Sequence, residues 1–92
     1  MTRPTIAAVH VVEFIVEPFV DGQPGPHVRA AVDAAAAAGA EVDFGPFGST
    51  GRVAAESMPD VVAAITRAAF ANGATHVTLH VSSPPRDEGE YA

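Results

Sequence analysis

Apolar residues along the chain switch between two periods. In "IAAVHVVEFIVE", residues 6–17, β-branched and aromatic side chains partly alternate with polar ones, the pattern of a strand. Pro18 and the "DGQPGP" cluster end it. From Pro26 the period lengthens: Val28, Ala31, Val32 and Ala35 in "PHVRAAVDAAAAAG" fall on one helical face. Pro26 suits a first helical turn, where its missing N–H is not needed. Gly39 supplies the stop. "AEVDF" returns to the strand period, and "STGRVAAE" is a weaker third strand. Pro59 opens "PDVVAAITRAAFANG", a second helix with Val62, Ile65 and Ala69 inward and Gly73 as its stop. "THVTLHV" is the fourth strand. The pattern predicts strands near 6–17, 40–45, 49–55 and 75–81, and helices near 26–38 and 59–72.

The two halves repeat. Pro26 to Gly39 and Pro59 to Gly73 frame similar helices, each followed by Gly-Ala and a strand. Two strand-helix-strand units with right-handed crossovers interleave into a four-stranded antiparallel sheet with both helices on one face. The expectation is therefore an α+β, ferredoxin-like βαββαβ sandwich over residues 1–81, with 82–92 as a polar, flexible tail.

Strand alternation divides the sheet into two faces. Val12, Phe14 and Val16, Val42 and Phe44, and Val77, Leu79 and Val81 form the floor beneath the helices. The opposite face carries Val11, Glu13, Ile15, Glu17, Glu41, Asp43, His76, Thr78 and His80. That mixture is too apolar for an ordinary wet surface and too charged for a core. It suits packing against another subunit, with Glu–His pairs satisfying each other.

Composition sharpens this. Hydrophobic residues make up 48% of 92 residues and charged ones 17%, which is apolar for a chain so short. A homo-oligomer, dimer or tetramer, is expected. The net charge of −6 and the lack of any basic cluster argue against nucleic acid. Without cysteine there is neither a disulfide framework nor thiolate chemistry. "MTRPTIAAVHVVEF" does not read as a signal peptide. No apolar run reaches the roughly 18 residues of a membrane helix. The expectation is a cytoplasmic protein with no membrane partner.

His76 and His80 form an H-x-x-x-H, which on a helix would present two metal ligands together. On a strand the two lie roughly 13 Å apart, too far to share an ion. No metal site and no cofactor is expected. His10 reads as a residue at the core edge and His27 as an exposed one in the first helical turn. No nucleophile has an evident paired base, so no catalytic residue is assigned.

The segment "DFGPFGSTG", residues 43–51, asks for more than a hairpin turn. Its glycines lack the lysine and following helix of a phosphate-binding loop. Phe47 on a Gly-Pro turn, followed by Gly48, Ser49 and Thr50, suits a flat nitrogen heterocycle: a ring to stack on and hydroxyls for its nitrogens. The simpler reading makes Phe47 a plug at the core edge.

With these residues the chain resembles the small YkoF-like thiamine-binding family. The resemblance covers roughly residues 6–81. It rests on Val16-Glu17-Pro18, on Gly45-Pro46-Phe47-Gly48-Ser49-Thr50, and on Gly73-Ala74 through Val77. It implies a ferredoxin-like fold, sheet-mediated oligomers and non-catalytic binding of thiamine or its hydroxymethylpyrimidine precursor, as carrier or sensor. An aromatic face attracts the thiazolium cation. The ligand-binding set is then Phe47, Gly48, Ser49 and Thr50, with Glu13, Glu17 and His80 from the sheet face. One departure stands out: where the family tends to place an acidic residue after the turn, this chain has Arg52. Two other readings stay open: a small dimeric enzyme using His80 and Glu13, and an oligomeric interaction scaffold.

Overall fold

The computed structural model describes residues 8–18, 25–45 and 48–84. Four strands and two helices follow the predicted order: β1 (Val9–Glu17), α1 (Pro26–Ala37), β2 (Glu41–Phe44), β3 (Ser49–Ala54), α2 (Met58–Ala71) and β4 (His76–Ser82). A single 3-10 turn, Ala55–Ser57, leads from β3 into α2. The start expected for β1 at residue 6 and most of the expected tail lie outside the described residues. No helix among the described residues is long and apolar enough to cross a membrane.

The sheet has the order β2-β3-β1-β4, every pair antiparallel. Each helix connects two strands separated by a third, so the two units interleave as the repeat predicts. The fold is the α+β, ferredoxin-like sandwich. Burial alternates along β1: Val12, Phe14 and Val16 are at most 3% exposed, while Glu13, Ile15 and Glu17 face out. The buried three meet Val28, Ala31 and Ala35 of α1 and Met58, Val61, Ile65 and Ala69 of α2. Both helices therefore cover one face and leave the other open. The alanines let the helices lie close to the sheet, which concentrates the core on the central strands.

Both helices stop where glycine allows it. Gly39 and Gly73 have φ of +109° and +103°, a region that L side chains rarely adopt. The backbone N–H groups of Ala40 and Ala74 then donate back to Ala35 and Ala69, completing the helix ends.

The predicted floor holds at its centre and fails at its margins. Val42, Val77 and Leu79 pack against the core, but Phe44 is 49% exposed and Val81 44%. Both lie near the C-terminal ends of edge strands, Val81 beside a hollow under the first turns of α2. On α2 the inward stripe is Met58, Val61, Ile65 and Ala69, so Val62 is only half-buried. His27 also differs from expectation: it is half-buried, and its Nε2 lies 2.5 Å from the Pro18 carbonyl, joining the end of β1 to the start of α1.

Candidate ligand site on the open face of the sheet

Register sets the site. In an antiparallel sheet, directly paired residues point to the same side. Phe14 pairs with Ser49 and with Leu79, so this row faces the helices. The next row crosses all four strands on the open face as Asp43, Thr50, Glu13 and His80. One pleat further along lie Glu41, Arg52, Val11 and Ser82. In the other direction, Ile15 pairs with Thr78 and Glu17 with His76. The open face thus holds four carboxylates, from Glu13, Glu17, Glu41 and Asp43, against the guanidinium of Arg52.

The β2–β3 turn closes through one hydrogen bond: Gly45 N–H donates to the Gly48 carbonyl at 2.8 Å. Gly48 lies against β1. A Cβ placed there would stand 3.3 Å from both Ile15 Cγ1 and the Phe14 carbonyl oxygen. The lack of a side chain lets the turn approach the open face closely. Between turn and strand is a depression of about 340 Å³ lined by Glu13, Phe14, Ile15, Gly45, Gly48, Ser49 and Thr50. Its walls are mainly apolar, with the Glu13 carboxylate and the Thr50 hydroxyl as polar handles.

Of the residues assigned from sequence, Gly48, Ser49, Thr50 and Glu13 line this one depression. They do not play equal parts. Ser49 is buried on the helix side, so only Thr50 presents its hydroxyl to the open face. His80 adjoins through Glu13, its Nδ1 3.7 Å from the carboxylate, with both side chains well exposed. Glu17 is four residues along β1 from Glu13, roughly 13 Å away, opposite His76. Phe47 lies outside the described residues. Asp43, the residue that completes the polar row across Thr50, was placed on the open face by alternation but not counted in the site. Its cross-strand pairing with Thr50 is the signal that brings it in.

A larger hollow of about 480 Å³ opens at the opposite end of the sheet, between the first turns of α2 and the helix-facing side of the strands. Met58, Pro59, Val62, Ala63 and Val81 line it, and His10 is its one ionisable side chain. Size favours this hollow, chemistry the smaller one. The smaller depression has a carboxylate and a hydroxyl beside it, from Glu13 and Thr50, where His10 is the one ionisable side chain of the larger hollow. Among the described residues no group of three or more His, Asp or Glu side chains is placed to hold a metal ion.

The arrangement of strands and helices is shared with solved structures. A domain of unknown function, DUF77, from Bacillus cereus superposes with a TM-score of 0.62 at 19% identity, covering 89% of this chain and 80% of that one. A hypothetical protein from Methanocaldococcus jannascii gives 0.59 at 14%, covering 88% and 84%. A protein from Streptococcus pneumoniae gives 0.53 at 15%, covering 87% and 89%. The likeness is one of fold. No family model matches the chain, and no curated protein matches it.

Proposed function

We propose that the protein binds a flat nitrogen heterocycle, thiamine or its hydroxymethylpyrimidine half, in the depression beside the β2–β3 turn, without transforming it. The observation that carries this reading is the convergence of Glu13, Gly48 and Thr50, distant or modest in sequence, on one depression of the open face. A glycine turn lets a planar ring approach the backbone. Thr50 can donate to or accept from ring nitrogens, and the Glu13 and Asp43 carboxylates accept from an exocyclic amino group. The excess of carboxylates on this face favours a cationic ligand. Phe47, two residues before Ser49, is the stacking partner in this proposal. Resemblance to the YkoF-like thiamine-binding family points the same way, and the fold is the one that resemblance implies.

Binding fits the geometry better than catalysis. The Glu13–His80 pair is open to solvent, with side chains 65% and 71% exposed. General acid–base groups work best where water is excluded and their charges are felt strongly. A homo-oligomer is part of the proposal: the open face carries Ile15 at 42% exposure among acids and histidines. A second copy there would cover Ile15 and deepen the depression.

Thermal unfolding with and without thiamine or hydroxymethylpyrimidine tests the reading, because a ligand specific to the folded state must raise apparent stability. Calorimetry then gives affinity. Phe47→Ala should weaken binding on the order of 1 kcal/mol or more while the fold persists. If millimolar ligand neither raises the unfolding temperature nor gives heat, the ligand assignment fails. If Phe47→Ala unfolds the protein, Phe47 belongs to the core instead.

A further inference from the structure

We propose that β4 pairs edge to edge with β4 of a second copy, joining two sheets into one. The two edges of the sheet are not alike. β2 is four residues long, carries Glu41 and Asp43, and runs into the turn at Gly45. Short length and charge are common ways of keeping an edge from pairing. β4 has neither. It runs for seven residues, "HVTLHVS", without glycine, proline, carboxylate, lysine or arginine. Among the described residues no strand lies on its outer side. The ladder shows which of its backbone groups point that way. Ala55 N–H donates to the Ala8 carbonyl in continuation of the β1–β3 register, so even-numbered residues of β1 bond to β3 and odd-numbered ones to β4. Glu13 and Ile15 therefore exchange bonds with His80 and Thr78, and Val77, Leu79 and Val81 turn their N–H and C=O groups outward.

These outward groups fix the register. An antiparallel copy that sets Leu79 against Leu79 and Val77 against Val81 pairs all of them, and a shift in either direction leaves some unpaired. Thr78 then faces His80 across the seam and His76 faces Ser82, so no carboxylate meets another. The same operation on β2 would set Asp43 against Asp43, a like-charge pair at close range. This self-complementarity favours a second copy over a foreign strand, and two-fold pairing closes the assembly rather than extending it. The flank above the edge fits as well. A two-fold axis normal to the sheet keeps the helices of both copies on one face and brings α2 beside α2. Val62 and Ala63 share the larger hollow with Val81, so this side of α2 overlooks the edge. Phe70, about two turns beyond Ala63, lies on the same side and is 53% exposed. Pairing would cover this apolar flank. The interface leaves the open face and its depression uncovered and does not depend on the ligand reading.

The test uses the Ile15→Glu protein, in which association through the open face is disfavoured. Sedimentation across a range of micromolar concentrations should show it stopping at a dimer, about twice 9.4 kDa. Amide hydrogen exchange on the same protein should slow at Val77 and Leu79 by about tenfold or more as dimer replaces monomer, while His80 and Thr78, already bonded to β1, change little. Val81→Pro, added to Ile15→Glu, removes an outward N–H without touching a β1 bond, a place where a strand tolerates proline. It should give a folded monomer. The edge interface is overturned if Ile15→Glu alone is monomeric at every concentration, or if the dimer survives Val81→Pro unchanged. It is also overturned if the Val77 and Leu79 amides are equally slow in monomer and dimer, which would mean that another part of the same chain covers the edge. The exchange measurement needs no proline variant, so it decides the matter even if Val81→Pro fails to fold. Failure here leaves the ligand site standing, since calorimetry with thiamine or hydroxymethylpyrimidine tests that separately.

Discussion

Ser49 and Thr50 are consecutive on β3 and face opposite sides of the sheet. Thr50→Val keeps shape and removes the hydroxyl that faces the depression. Its expected cost in ligand binding is about 0.5–1.5 kcal/mol, the usual net worth of a hydrogen bond. Ser49→Ala should leave affinity within about twofold, because that hydroxyl is buried on the helix side of the sheet. Calorimetry on the two variants separates them, and equal losses would show that the register of β3 is misassigned. The sequence shows both hydroxyls beside a glycine turn but not which one is presented. That depends on the residue at which β3 begins, and a shift of one residue exchanges the faces of every side chain. Phe44 was misplaced for a related reason: alternation gives its side of the sheet, while its exposure depends on how far the helices reach over an edge strand.

The helices were legible as elements because proline and glycine mark their ends and a helical period lies between. Gly73 provides the cleanest test. Its φ is +103°, and a Cβ there would meet nothing within 4 Å, so any cost of alanine is conformational rather than steric. Gly73→Ala should lower unfolding free energy by about 1–2 kcal/mol in denaturant titration, without changing the slope of the transition. An unchanged midpoint would mean that the α2 terminus relaxes to another stop. The 3-10 turn over Ala55–Ser57 was not legible. Its residues carry no strong turn signal, and the tighter winding joins β3 to α2 only once both elements are placed. The contact between His27 and the Pro18 carbonyl was likewise hidden, since it joins residues across a segment whose path no local pattern specifies.

At the scale of the molecule, one sheet face is covered by helices and the other is not. Self-association through the open face should produce a species well above 9.4 kDa in sedimentation at low micromolar concentration. Ile15→Glu should shift it toward monomer, by adding a charge to a patch that would otherwise be desolvated. Moderate salt should strengthen association in wild type, because two copies of a face with four carboxylates and one guanidinium repel each other until screened. A wild-type monomer under all these conditions would remove the interface. The sequence indicated a face suited to burial through its mixture of Val11 and Ile15 with acids and histidines. It could not show whether that face meets a ligand, a second copy or both, because each demands the same exposed apolar and polar groups.

The central position of β1 bears on how the protein is made. Synthesis runs from the N-terminus, so the strand that ends up between β3 and β4 leaves the ribosome before either partner. Its second edge stays open until His76–Ser82 emerge, and the Glu17 carbonyl waits for Thr75, 58 residues downstream, to supply a backbone N–H and a hydroxyl. Until then "VVEFIV", an apolar and largely β-branched stretch, has an unpaired edge. Such a sheet cannot form in instalments: β1 precedes both of its neighbours along the chain and is fully paired only when β4 joins it.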